Sequence, residues 1–163
     1  MKSINCGQKI QYLEWLSSSK FITSDRSELT YWDFDSEKPL RSFKPHETPI
    51  TCLQADPSGA LLATASQDIK LWSESSDAPI KVFKEHKASI SCLAWLKTPS
   101  QATLASGGQD CLIKIWSCEE AKSLYTLVEH RAEITCLAFD PTGKYLASGD
   151  VEGVLVLWAV QGY

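Results

Sequence analysis

Histidine and cysteine are the residues of this 163-residue chain best suited to proton transfer, metal ligation or nucleophilic attack, and it holds three of one and six of the other. Their spacing points elsewhere. His46, His86 and His130 are 40 and 44 residues apart, and Cys52, Cys92 and Cys136 repeat the same two steps. Trp32, Trp72 and Trp116 repeat them again, each fourteen residues before a histidine. A catalytic or metal centre gathers its groups once, whereas groups used up in one periodic position belong to a repeat. Cys111 and Cys118, seven apart, have neither a zinc spacing nor that of a local bridge. No cofactor or metal is expected.

Other chemistries find no residues to carry them. Gly107-Gly108 is the nearest approach to a phosphate-binding loop and falls in a turn of the repeat. Glu119-Glu120 are surface acids in another turn. Lys81, Lys84 and Lys87 form the one basic cluster, read as a solvated edge because Glu85 interrupts it and no aromatic ladder accompanies it. With a net charge of −4, nucleic acid is not an expected partner. No run approaches the ~18 apolar residues of a membrane span, and the first thirty residues lack the basic-then-apolar profile of a secretory signal.

The elements that position these residues are short strands. Ile50-Thr51-Cys52-Leu53 returns as Ile90-Ser91-Cys92-Leu93 and Ile134-Thr135-Cys136-Leu137, and Asp56-Pro57-Ser58-Gly59 returns as Asp140-Pro141-Thr142-Gly143. Proline fixes φ in such a turn and glycine accepts the left-handed position. A second strand follows (Leu61–Thr64, Tyr145–Ser148), then a third ending in Trp72, Trp116 or Trp158, then a fourth such as Ile80–Phe83 or Leu124–Leu127. A weaker unit opens the chain, with Ile10, Leu13 and Trp15 forty residues before Ile50, Leu53 and Ala55. No stretch of 12 or more residues keeps helical spacing without a turn signal inside it. The chain is expected to be all-β and one repeat domain over 1–163, with four units at about 6–37, 38–77, 78–120 and 121–163.

These residues resemble the WD40-repeat family over essentially the whole chain. The resemblance implies four-stranded propeller blades of ~40–45 residues around a central channel. The family's Gly-His and Trp-Asp signatures are worn: Pro45-His46, Glu85-His86 and Glu129-His130 lose the glycine, and only Trp32-Asp33 keeps the acid. It also implies a buried hydrogen-bonded tetrad in each complete blade, of His, a Ser or Thr on the second strand, an Asp in the next turn, and the Trp. The third unit supplies His86, Ser106, Asp110 and Trp116; the fourth supplies His130, Ser148 and Trp158, with Glu152 in the Asp position. The second supplies His46, Thr64, Asp68 and Trp72, but its turn is clipped, with Trp72 four positions after Asp68 instead of six, which leaves that network in question. The first puts Cys6, Ser24 and Glu28 before Trp32, and no network is expected there.

A Ser, a His and an Asp together also spell a hydrolase triad. Here the serine lies inside an apolar strand with no Gly-x-Ser-x-Gly elbow, and the set recurs, so a repeated structural staple is expected and an enzyme is not. The resemblance implies a protein-interaction scaffold. Its candidate partner face is the end of the blades where the loops before strand one and between strands two and three meet: Glu47, Thr48, Gln67, Lys87, Ser89, Gln109, Arg131, Glu133 and Val151. The clipped turn, with a longer first hairpin at Leu96–Gln101 in the third unit, resembles WD40 subunits of the nucleolar small-subunit processome, and spindle-pole WD40 proteins share clipped turns.

Four units would make an incomplete or open propeller, so partners are expected to be other proteins or peptides, a second copy, or another propeller fragment. Three cysteines in equivalent places of separate blades cannot pair with each other, which suits a reducing compartment. Cytoplasm or nucleus, or both, is the expected location.

Overall fold

The computed structural model describes residues 3–96 and 102–160. It contains fifteen strands and no helix among the described residues, in agreement with an all-β chain. Most of the Leu96–Gln101 hairpin singled out above lies outside them.

The strands form four antiparallel sheets, each a meander. Strands β1 (Tyr12–Trp15), β2 (Lys20–Ser24), β3 (Leu29–Asp33) and β4 (Lys38–Phe43) make the first. The second holds β5 (Cys52–Ala55), β6 (Leu61–Ala65), β7 (Ile69–Ser73) and β8 (Lys81–Phe83). The third holds β9 (Ile90–Trp95), β10 (Thr103–Gly108), β11 (Ile113–Ser117) and β12 (Lys122–Leu127). The last holds β13 (Ile134–Phe139), β14 (Tyr145–Asp150) and β15 (Leu155–Ala159). Turn chemistry sets each first hairpin. Asp56 accepts the N–H groups of Ser58 and Leu61, and Asp140 those of Thr142 and Tyr145. Gly59 and Gly143 take φ of 73° and 72°. The Thr142 hydroxyl and the Tyr145 N–H hold the Asp140 carboxyl at about 2.

Because side chains alternate across a strand, every sheet has two apolar faces, and in the second and third sheets each face packs against a different neighbour. One carries the Trp; the other carries the aliphatic residues flanking it in sequence. Ile22, Leu29 and Tyr31 of the first sheet meet Leu53, Leu62 and Trp72 of the second. Ala63, Ala65, Ile69 and Leu71 of the second meet Leu93, Trp95, Leu104 and Trp116 of the third. Cys92, Ala105, Ile113 and Ile115 meet Ile134, Leu146 and Trp158. Small residues allow the approach: a Cβ on Gly107 would lie 2.5 Å from Ile134 Cγ2. Polar contacts fix the stagger, with Thr51 Oγ1 donating to the Ile90 carbonyl (2.5 Å) and Trp95 Nε1 to that of Gln54 (3.0 Å).

Inner strands therefore meet in sequence order, β1 with β5, β5 with β9 and β9 with β13, and no comparable contact joins β13 back to β1 among the described residues. The sheets form an open arc. The aliphatic face of the last sheet is uncovered: Leu155 and Leu157 are 69% and 70% exposed, whereas Ile69, Leu71, Ile113 and Ile115, at the same positions of earlier sheets, are buried.

Candidate functional site

Three histidines anchor three buried networks at one end of the sheets. In the third sheet His86 Nδ1 lies 3.0 and 2.9 Å from the two Asp110 carboxylate oxygens, and its Nε2 lies 2.7 Å from Ser106 Oγ. Trp116 Nε1 donates to the same Oγ at 2.8 Å. A carboxylate only accepts, so Nδ1 carries the proton; in the neutral ring Nε2 then accepts the serine O–H. Burial pushes the His86 and His46 pKa values down, against the carboxylates beside them, which favours the neutral ring. Burial alone would raise Asp110, but the Lys87 N–H and His86 hold it below the usual range. The Ser106 O–H points its proton at an imidazole nitrogen, as a nucleophile would. Its oxygen, however, is fully buried on β10 and already accepts the Trp116 N–H, so no substrate carbonyl reaches it.

The second sheet holds an equivalent set in spite of its clipped turn: His46 to Asp68 Oδ1, His46 to Thr64 Oγ1 and Trp72 to Thr64 Oγ1, each 2.8 Å. The shorter turn still leaves the Asp68 carboxylate within reach of His46, so the second blade's network forms. In the fourth sheet the carboxylate is not that of Glu152. Asp150, two residues earlier, bonds His130 Nδ1 at 2.6 Å, while His130 Nε2 and Trp158 Nε1 meet Ser148 Oγ at 2.7 and 2.8 Å. The second oxygen of Asp150 accepts the N–H groups of Glu152 and Val154, which seats the acid at the strand end and turns the exposed Glu152 outward. Counting four residues from the strand hydroxyl missed it; an acid opening the turn before Gly153 was the signal. In the first sheet Trp32 Nε1 donates to Thr23 Oγ1 (2.8 Å), not to the adjacent Ser24. Thr23 faces Thr30 across the ladder, as Thr64 faces Lys70 and Ser106 faces Lys114.

The loops around these networks gather the nine candidate face residues at the same end. Ser89 and Glu133 are tied down, their carbonyls accepting the N–H groups of Gln109 and Val151 (2.9 and 3.0 Å), and the Glu133 carboxylate accepts Ser91 Oγ (2.7 Å). Arg131 and Val151 are exposed. Glu47, Thr48, Gln67 and Lys87 come together as walls of one cleft of roughly 530 Å³ between the second and third sheets, floored by His46, Asp68 and His86. Lys70 and Lys84 complete it; the sequence reading overlooked the first and left the second on a solvated edge. The clipped turn opens this cleft. Asp68 is 21% exposed there, against 7% for Asp110 and 2% for Asp150. Among the described residues, no group of three or more His, Cys, Asp or Glu side chains is placed to hold a metal ion.

Antiparallel meanders, four-stranded in the first three sheets and three-stranded in the last among the described residues, packed face to face in chain order with an inner strand on each neighbour, are the blades of a β-propeller. The model of the WD domain, G-beta repeat, matches residues 37–73, 77–117 and 121–159, well over half of the chain. The chain belongs to the WD40-repeat family, and the three networks are its repeated tetrads. No curated protein matches the chain. WD40 repeats in general mediate protein–protein interaction and scaffolding, and the open arc described above is an incomplete propeller.

Proposed function

We propose that the chain is a non-catalytic interaction scaffold whose partner, a protein or a peptide segment of one, docks at the end of the blades bearing Glu47, Thr48, Gln67 and Lys87. The observation carrying this reading is the cleft between the second and third blades: it is concave, and four residues from three different loops converge on it. The histidines and serines that could do chemistry are consumed in holding those loops. Free thiols on all six cysteines, two of them buried, favour a reducing compartment, cytoplasmic or nuclear, and the resemblance of the clipped turn to that of processome and spindle-pole WD40 proteins supports a subunit of a large assembly. Affinity capture tests the reading with Gln67→Trp, which fills the cleft, and Glu119→Trp at the opposite end of the blades. Partners captured by the wild type should be lost with the first and kept with the second; equal capture by both variants would remove the cleft from the interface.

A second reading, that the chain completes another propeller, is favoured by one specific feature. The aliphatic face of the fourth blade, with Leu155 and Leu157, matches the faces that blades one to three present to a Trp-bearing neighbour.

A further inference from the structure

The repeat makes the charges in the cleft readable. Lys70 and Lys114 stand at the same position of the second and third blades, two residues before Trp72 and Trp116. In the third blade, Lys114 Nζ donates to Glu85 Oε2 (3.1 Å) and Thr126 Oγ1 (3.0 Å), and Glu85 directly precedes the tetrad histidine His86. In the second blade the residue before the histidine is Pro45. Lys70 Nζ reaches only the Pro45 carbonyl oxygen (2.8 Å), with no carboxylate within ion-pair distance among the described residues. Lys84 and Lys87 line the same cleft, exposed, and their ammonium groups likewise form no ion pair with a carboxylate among the described residues.

Two acids oppose these three cations. Asp68 already accepts the Nδ1–H of His46, and Glu47 lies exposed on the rim. The Thr48 hydroxyl and the Gln67 amide add uncharged hydrogen-bonding groups. No Phe, Tyr or Trp is among the lining residues, and the His46 and His86 imidazoles at the floor are buried with both nitrogens held in the tetrads, so the cleft offers little for a nucleic-acid base to stack on, and the chain as a whole is acidic. We propose that this cleft binds an anionic side chain, carboxylate or phosphoryl, presented by an acidic segment of a partner protein. The inference rests on the interaction reading above and names the chemistry of its ligand. The clipped turn supplies the space, and the replacement of a glutamate position by Pro45 supplies the unneutralised charge.

Fluorescence anisotropy with the full chain tests it. The probes are a short labelled oligoglutamate peptide, a phosphoserine peptide of equal length, its unphosphorylated serine counterpart, and a uridine oligonucleotide. At least one anionic peptide should bind saturably, the serine peptide should not, and Lys84→Glu with Lys87→Glu should weaken binding about tenfold or more. Lys38→Glu with Lys122→Glu, an equal change of net charge remote from the cleft, should leave affinity within about twofold at ~0.15 M salt. Should the reversed pair fail to fold by circular dichroism, Lys84→Gln with Lys87→Gln carries the same comparison. A tighter phosphoserine complex assigns a phosphoryl group, and a tighter oligoglutamate complex a carboxylate. Absence of saturable binding by either anionic peptide, equal weakening by the remote pair, or preference for the oligonucleotide would each overturn the proposal. If Gln67→Trp abolishes partner capture while charge reversal leaves it intact, the interface stands and the anionic ligand falls.

Discussion

Asp150 and Glu152 are both acids in one turn, yet only Asp150 holds a buried imidazole. Asp150→Ala is expected to lower the urea midpoint, and Glu152→Ala to leave it within error; the reverse order would return the tetrad to Glu152. In the third blade, Asp110→Ala strands the Nδ1–H of His86, and an unsatisfied buried donor costs about 1–3 kcal/mol. An unchanged midpoint for that variant would remove the network as a stabilising element. The imidazoles of the second and third blades set an acid response. His46 and His86 have folded pKa values pushed by burial below the ordinary histidine value of about 6.5. As pH falls, the unfolded chain therefore takes up these protons first. The stability they contribute is complete above that ordinary value and is lost as pH falls from there through the depressed folded values. Urea midpoints should thus decline from about pH 7.5 to about pH 5.5, beginning well above the carboxylate range, and a flat profile would contradict buried neutral rings.

At the scale of the element, two glycines separate backbone strain from blade packing. Gly59 and Gly153 both sit at positive φ, 73° and 83°. A Cβ on Gly153 would meet nothing within 4 Å, while one on Gly59 would collide with the backbone carbonyl of Leu16 in the neighbouring blade. Gly153→Ala should cost about 1–2 kcal/mol, the left-handed penalty alone, and Gly59→Ala clearly more, since one blade must shift against another. Equal costs by urea denaturation would mean that the first hairpin turn does not set the spacing of blades one and two. Strands, repeats and turns were legible because each rests on local rules: alternation along Ile50–Leu53, Pro57 and Gly59 at fixed places, a Trp closing each third strand. Residue choices within the networks were less so. Thr23 and Ser24 are adjacent hydroxyls, and only the pairing register tells which faces the indole. Asp150 and Glu152 differ in which can also cap its own turn. The cleft was out of reach of sequence, because it arises from the length difference between two turns on different blades and from the approach of Lys84 to Lys70, fourteen residues apart along the chain and in no periodic relation.

At the scale of the whole molecule, the two ends of the arc are complementary. The first blade turns outward a face carrying Leu13 and Trp15, the last a face carrying Tyr145, Leu155 and Leu157, all exposed. Within the arc, faces of these two kinds bury each other three times over. A fully buried leucine contributes about 1.5–3 kcal/mol relative to an exposed one, so an arc with both faces in water has a strong drive to cover them, and exposed patches of this kind promote association. Propellers close with roughly four to eight blades, and the described four leave room for more. The isolated chain is therefore expected to associate, with itself or with blades supplied by another polypeptide, rather than to behave as a closed monomer. Light scattering on a size-exclusion peak should return a mass above 18.1 kDa, and a hydrophobic dye should bind. Leu155→Lys with Leu157→Glu should reduce both the mass and the dye signal while leaving the tetrads, which lie on other faces, intact by circular dichroism. A monodisperse wild-type monomer that unfolds cooperatively and binds no dye would show that the arc covers its own ends.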